Sequence, residues 1–130
     1  MHALIIHPDA EHDLRMLKLS DPWTAARVMV LLEELDGDED LLANLCSHGF
    51  HKEKPREFNV SKWLEVYNQG LNIWRLKVWG ADDDILPFRI VYAHRASDQE
   101  YHVLAIAPRS WNYDASHVIS KRILTAYEEL

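Results

Sequence analysis

Three strand-like runs in the second half of the chain each carry a cationic side chain that could bind an anion. In the first run, Ile73 to Trp79, Arg75 and Lys77 stand two positions apart, so in a β-strand they share one face of the sheet while the intervening apolar side chains share the other. Arg89 stands in the second run and Arg109 in the third. A sheet that brings these cations together would attract a polyanion, of which a phosphate backbone is the most common kind.

The net negative charge of the chain lies in its N-terminal part. The 130-residue sequence has a net charge of −7, and residues 1–50 hold three Lys or Arg against ten Asp or Glu. Residues 51–130 hold eleven of each, so the strand-rich part is neutral and its cations are concentrated at particular positions. The net acidity therefore does not exclude a local anion site.

Length and composition predict one folded domain over residues 1–130. The apolar fraction of 48% and the five Trp and five Tyr exclude a disordered chain, and no apolar run approaches the roughly 20 residues that span a bilayer. Residues 1–7 lack the basic start and apolar length of a signal peptide, and the single cysteine, Cys46, cannot form an intrachain disulfide. We therefore expect a cytoplasmic protein with no membrane contact.

The pattern of apolar residues and caps predicts an α+β fold. Pro22 suits the first position of a helix because its missing N–H would be unpaired there, with Ser20 or Asp21 as the cap. We expect the N-terminal strand and helices to pack on an antiparallel β-sheet, followed by a C-terminal helix that is capped by Asp114 or Ser116. The helix that begins at Pro22 ends at Gly37. The other elements are a strand at 3–7, a helix from Pro8, a short helix at 41–45, an extended segment at 57–66, and antiparallel strands near 72–79, 86–94 and 101–107.

Two short segments have residue types that are found in metal sites. Asp36, Asp38 and Asp40 alternate as in a calcium loop, but the glycine and glutamate that such a loop requires are replaced by Leu41 and Ser47. The segment from Cys46 to His51 has zinc-ligand residue types without a second pair at a recognisable interval. We expect a solvated turn and a polar loop here, and neither a metal nor a cofactor.

The order of these elements and their cations resembles the RelE/ParE superfamily of bacterial type II toxins. The resemblance covers residues 3–130 in the order of elements, and its specific part is residues 74–127. The family's ribonucleases carry paired cations on one strand, an Arg on the next, an Arg followed within a few residues by Tyr, and a closing helix. These features are matched by Trp74-Arg75-Leu76-Lys77-Val78, by Phe88-Arg89-Ile90-Val91-Tyr92, by Arg109 with Tyr113, and by Val118 to Leu124.

The resemblance implies a metal-independent cleavage of RNA by its own 2′-hydroxyl group. This reaction needs a base, cations for the charge on the phosphoryl oxygens, and an acid for the leaving 5′-oxygen. Lys77 is the implied base or charge-stabilising residue, Arg75 binds phosphate, and Arg89 and Arg109 stabilise the transition state. Tyr113 orients the nucleophile or donates to the leaving group.

Aromatic and histidine side chains near the cations extend this candidate site. Trp79 and Trp111 are candidates for stacking on an exposed base, with core packing as the alternative. By pKa, His94, His102 and His117 are simpler acid or base candidates than a lysine. We expect His117 near Tyr113 on the last helix, with a helix-surface role as its alternative.

His102 has a structural alternative. On a regular strand it shares a face with Leu104 and Ile106, which predicts that it points into the core.

The cationic residues have structural alternatives too. Arg75 and Lys77 would form the solvent side of a half-covered sheet, Arg89 would pair with Asp82 to Asp84, Arg109 would bond the terminal helix, and Tyr113 would be a hydrophobic anchor.

Three functions fit the resemblance. The first is a toxin that cuts mRNA in the ribosomal decoding site and is silenced by an antitoxin. The second is a ParE-type toxin that binds DNA gyrase without RNA chemistry. The third is an inactive interaction module, which the acidic N-terminal part favours.

Overall fold

The computed structural model describes residues 2–46, 58–79, 85–95, 97–111, 113–114 and 116–130. His48 and His51 of the zinc-type segment lie outside these residues, as do Asp82 to Asp84, the predicted partners of Arg89.

The described residues form an α+β fold with an N-terminal strand, helices on the sheet and a C-terminal helix, as predicted. The elements are β1 (Ala3–Ile6), α1 (Pro8–Ser20), α2 (Pro22–Asp36), α3 (Glu39–Ala43), β2 (Phe58–Lys62), α4 (Leu64–Tyr67), β3 (Ile73–Trp79), β4 (Ile85–Arg95), β5 (Glu100–Pro108), a 3₁₀ turn (Arg109–Trp111) and α5 (Val118–Glu128). None of the helices in the described ranges has the length and apolar content needed to cross a bilayer.

The five strands form one mixed sheet in the order β1-β5-β4-β3-β2. The pairs β2–β3, β3–β4 and β4–β5 are antiparallel, and β1 runs parallel to β5. The prediction of an antiparallel sheet is therefore wrong at this edge. Parallel neighbours require a long crossover connection, and here the whole chain from α1 to β4 separates β1 from its partner.

Side-chain caps account for the helix starts in the N-terminal part. Helices α1 and α2 each begin at a proline, as predicted, and the Asp21 carboxylate accepts hydrogen bonds from the Thr24 N–H (3.2 Å) and hydroxyl (2.6 Å). Helix α3 begins two residues earlier than predicted because Asp38 caps it, accepting from the Leu41 N–H at 3.1 Å. The alternating acidic run therefore includes a helix cap.

The segment predicted to be extended over 57–66 changes direction at Trp63. Its first part forms β2, but Leu64–Tyr67 forms the short helix α4, so the prediction is wrong at its end. Trp63 is buried and its ring meets that of Trp111 edge to face, with 5.1 Å between the centroids. This contact anchors the chain as it leaves the sheet edge.

The start of α5 differs from the prediction. His117 is the N-cap, with its Nδ1 accepting from the Ile119 N–H at 3.0 Å, and Asp114 instead accepts from the Ser116 N–H at 2.9 Å. Val118, the first residue of α5, is exposed.

Two apolar cores lie on opposite faces of the sheet. Helices α1, α2 and α3 pack on the face that carries Trp74, Leu76 and Val78. Helices α4 and α5 and the 3₁₀ turn pack on the other face. By strand alternation Arg75 and Lys77 project from this second face.

Two β-bulges re-aim side chains in the sheet. Lys77 pairs with Arg89, but the next pair is Trp79 with Ile85, which leaves extra β4 residues, including Pro87, in the bulge. In β5 the register shifts around Leu104, since Val91 pairs with Ala105 and Tyr92 with Val103.

The second bulge corrects one prediction about His102. His102 is buried as expected, and Leu104 belongs to the second core, but Ile106 belongs to the first. The inserted residue reverses the alternation between these positions.

Candidate anion-binding site

Three of the candidate cationic side chains, those of Arg75, Lys77 and Arg89, lie close together on the second face of the sheet. Lys77 on β3 lies directly opposite Arg89 on β4, and Arg75 is two residues from Lys77 on the same strand. Arg75 is held by Ser61 of β2, whose hydroxyl accepts from the Arg75 Nε at 2.7 Å. Like charges directly opposite one another on a sheet are destabilising, so this pairing needs a reason other than stability.

Tyr113 forms the floor beneath two of these cations. The centre of its ring lies 4.3 Å from the Arg75 guanidinium carbon and 5.4 Å from that of Arg89, both within cation–π range. The ring also packs on Trp111 at 4.6 Å and on Trp63 at 5.9 Å between centroids. A second aromatic layer thus supports the guanidinium groups.

The backbone of Tyr113 is strained. Its φ of +56° lies in the left-handed region, which a bulky side chain rarely adopts. The surrounding contacts hold it there, and strain of this kind is concentrated at functional sites.

The electrostatics place Arg109 with the other three cations. Burial lowers the pKa of Lys77, and Arg89, Arg109 and Arg75 lower it further by repulsion. Burial also lowers the pKa of Arg89, an effect that Tyr113 partly offsets. In the described ranges none of the four cations forms an ion pair with a carboxylate. The cluster of Arg75, Lys77, Arg89 and Arg109, here called the cationic cluster, therefore carries positive charge without a described counter-ion.

Among the described residues, Arg89 of the cluster and the adjacent Tyr113 each have a polar atom without a hydrogen-bond partner. Arg89 Nε and the Tyr113 hydroxyl are buried, and neither makes a hydrogen bond of acceptable geometry within the part of the chain described. Tyr113 is nonetheless close enough to favour the charge of Arg89. Both groups can donate a hydrogen bond.

An open concavity of about 530 Å³ adjoins the cluster. Arg89, Arg109 and Tyr113 line one part of it and apolar side chains line another. The complete lining is Ile85, Pro87, Phe88, Arg89, Pro108, Arg109, Ser110 and Tyr113. A cavity with apolar walls and a few convergent polar groups is the usual form of a small-ligand site.

The two tryptophans predicted to stack on bases have other contacts. Trp111 is 3% exposed, and its Nε1 donates to the Ser120 hydroxyl at 2.7 Å. A stacking role would require its ring to leave the core. Trp79 is partly exposed, and its carbonyl oxygen accepts from the Arg27 Nε at 3.2 Å.

The three histidines have separate positions. His117 is exposed at the start of α5, where its Nδ1 is engaged as the cap. His102 Nε2 lies 3.2 Å from the Glu100 carboxylate. His94 stacks on Tyr101 at 4.5 Å, and burial lowers its pKa. At about 3.3 Å per residue His94 is roughly 16 Å along β4 from Arg89, too far to act on the same atom.

Sequence reasoning missed the residues that position the cluster and shape the concavity. Ser61 was inside a predicted extended segment, but its contact with Arg75 depends on the pairing of β2 with β3. Pro87 and Pro108 gave the only local signal, since proline is found at bulges and strand ends.

No group of three or more His, Cys, Asp or Glu side chains within the described ranges is arranged to hold a metal ion. Comparison of the chain with protein-family models, with curated proteins and with solved structures gives no match.

Proposed function

We propose that this protein is a toxin-type endoribonuclease of the RelE/ParE kind that cleaves mRNA through attack of the 2′-hydroxyl on the adjacent phosphate. The observation that supports it most is the cationic cluster, in which four side chains converge on one open face and no described carboxylate neutralises them. Such a cluster lowers the stability of the fold unless it binds an anion. The phosphates of single-stranded RNA are accessible to a cluster of this kind.

The proposed reaction forms a bond from the 2′-oxygen to phosphorus and breaks the bond from phosphorus to the 5′-oxygen. Arg89 and Arg109, which line the concavity together, would hold the phosphoryl oxygens as negative charge develops. Arg75, fixed by Ser61, would bind a neighbouring phosphate. The products are a 2′,3′-cyclic phosphate and a free 5′-hydroxyl.

Two side chains are suited to move protons in this reaction. Lys77 has a lowered pKa, which increases its neutral fraction and allows it to accept the 2′-hydroxyl proton. The Tyr113 hydroxyl, which has no described acceptor, would donate to the leaving 5′-oxygen. A base of the RNA would occupy the apolar part of the concavity, against Pro87 and Pro108.

The proposal places the protein in the cytoplasm, where mRNA and the ribosome are found and where a cognate antitoxin would restrain it. The reaction uses no metal or cofactor. The acidic N-terminal helices would repel RNA, so that binding is confined to the cationic cluster.

Cleavage of a defined oligonucleotide tests the chemistry. Purified protein, with and without ribosomes, is incubated with RNA and with the same RNA carrying one 2′-deoxy nucleotide at the cleavage site, both in excess EDTA. We expect cyclic-phosphate ends from the first and no cut at the modified position of the second. Arg89→Gln should reduce the rate by about 10²–10³-fold, the usual cost of one transition-state donor.

Arg95→Gln is the matched control for this variant. Arg95 is on the same strand as Arg89, is exposed, and pairs only with Asp98 at 3.3 Å among the described residues. A surface pair of this kind contributes little to stability, so the control should cleave at the wild-type rate. Equal loss in both variants, or full activity in both, would contradict the proposed role of Arg89.

Induced expression separates this function from the two alternatives. Growth arrest with loss of full-length mRNA, relieved by Arg89→Ala and by Arg109→Ala, supports the ribonuclease. A DNA-damage response with intact mRNA would indicate a ParE-type gyrase inhibitor instead. Unimpaired growth with no antitoxin present would indicate an inactive interaction module.

A further inference from the structure

Large apolar side chains are exposed together at the junction of α1 and α2. Trp23 is 86% exposed and Leu19 80%, and Met16 lies one turn before Leu19 on α1. Met29 and Val30 continue the exposed apolar surface along α2. Exposed apolar side chains grouped on two adjacent helices are typical of an interaction site.

A groove of about 320 Å³ runs along the same surface. Its floor is formed by Ala25, Ala26, Met29 and Val30, whose two alanines would allow another backbone or a large ring to approach closely. Lys18 and Glu33 also line it, towards opposite ends of α2. Neither side chain forms an ion pair in the described ranges.

The surface is complementary to itself. If α2 packs antiparallel on α2 of a second copy about a two-fold axis near Ala26, Trp23 of each copy meets the groove of the other near Val30. The same arrangement brings Lys18 next to Glu33 of the second copy, and the converse pair forms at the other end. Lys18 and Pro22 line the same groove, and Pro22 is eleven residues, about 16 Å along the helix, from Glu33, so both pairs would fit one crossing of two helices.

We propose that this apolar surface, with Lys18 and Glu33 at its ends, is the interface of a two-fold symmetric dimer of this chain. A two-fold interface uses one patch on both subunits, and this patch carries both the projecting tryptophan and the groove to receive it. The net charge of −7 on each copy opposes association, but salt near 0.15 M limits that repulsion to about 8 Å. The inference does not depend on the proposed ribonuclease function.

Sedimentation equilibrium of charge-swap variants tests this geometry. The wild type should form dimers at concentrations on the order of 100 µM or below. Lys18→Glu and Glu33→Lys should each weaken dimerisation at least about tenfold, because each places like charges at both ends of the interface.

Mixing the two variants supplies the decisive result. In a mixed dimer Glu at position 18 faces Lys at position 33, and the unaltered Lys18 faces the unaltered Glu33, so both ion pairs are restored. The mixture and the doubly substituted protein should therefore dimerise as well as the wild type, whereas Trp23→Ala should not. Circular dichroism and urea unfolding of each variant show whether the fold is retained.

Three results would overturn the proposal. The first is a wild type that stays monomeric over the whole concentration range, which would assign the surface to a different partner. The second is dimerisation unaffected by either charge substitution in folded protein. The third is failure of the mixture to recover association when each single variant is folded and monomeric.

Discussion

Replacing Lys77 by methionine should make the protein more stable while removing the activity proposed for it. The substitution keeps an unbranched side chain of similar length on β3 and removes one positive charge from the cationic cluster. A structural surface lysine would show neither effect.

The magnitude follows from the position of Lys77 in the sheet. A directly opposed cross-strand charge pair changes stability by roughly 0.2–1 kcal/mol, and the pair of Lys77 and Arg89 is repulsive. Arg75 and Arg109 add further repulsion. We therefore expect a gain in the free energy of unfolding of about 1 kcal/mol at pH 7, or a rise in Tm of about 3–5 °C for a domain of this size.

The gain should depend on pH in a defined direction. The folded-state pKa of Lys77 lies below its ordinary value of 10.5, so between these values the unfolded chain binds more protons and wild-type stability rises with pH. The advantage of Lys77→Met is full below the folded-state pKa and shrinks as the pH rises towards 10.5.

Urea unfolding from pH 7 to 10.5 measures this effect, with Lys121→Met as the control. Lys121 is exposed on α5, and its replacement should change stability by less than about 0.5 kcal/mol at every pH. Inorganic phosphate should stabilise the wild type, by about 1.4 kcal/mol at ten times its Kd, and should stabilise Lys77→Met less. A loss of stability at pH 7, or a gain that persists unchanged at pH 10.5, would refute the repulsion argument.

Three further outcomes are expected. Asp13→Ala should lower the free energy of unfolding in urea by about 3 kcal/mol, and Asp13→Asn by less, because Asp13 accepts from Arg122 at 2.8 and 2.7 Å and from the Ile106 N–H at 2.9 Å. A change below about 0.5 kcal/mol would show that this bridge contributes little. Burial raises the pKa of Cys46 to about 11, so iodoacetamide at pH 8 should alkylate the native thiol on the order of a hundredfold more slowly than in urea, and equal rates would contradict its burial. If only the cationic cluster contacts phosphates, the plot of log binding constant against log salt for single-stranded RNA should have a slope no steeper than about −3, and a much steeper slope would require other cations at the interface.

Local signals in the sequence predicted most of the helices and strands, although not helix α4. Pro22 after Asp21 marked the start of α2, and the alternation around Arg75 and Lys77 placed these cations on the sheet face opposite Trp74, Leu76 and Val78. These features depend on neighbours within a few residues, and a single sequence carries that information directly.

Features set by contacts between distant segments could not be read in this way. The bulge at Leu104 reverses the face of Ile106, and no residue type at these positions announces it. Trp111 is of a residue type that often stacks on bases, but it is buried, and its ring packs edge to face on that of Trp63, the residue before α4. The parallel pairing of β1 with β5 likewise depends on a contact between segments that are far apart in the sequence.

The two functional surfaces inferred here lie on opposite sides of one sheet. Helices α1 and α2, which carry the apolar surface with Trp23, pack on one face, and the cationic cluster lies on the other. A dimer formed through α2 would therefore leave both cationic clusters exposed and pointing away from each other. It would also bury apolar surface on the acidic side, where RNA binding is disfavoured, so association would not compete with the proposed substrate. The two-sided sheet thus allows a change such as Trp23→Ala to abolish dimers without altering the cluster, and a change at Lys77 to alter the cluster without affecting dimers.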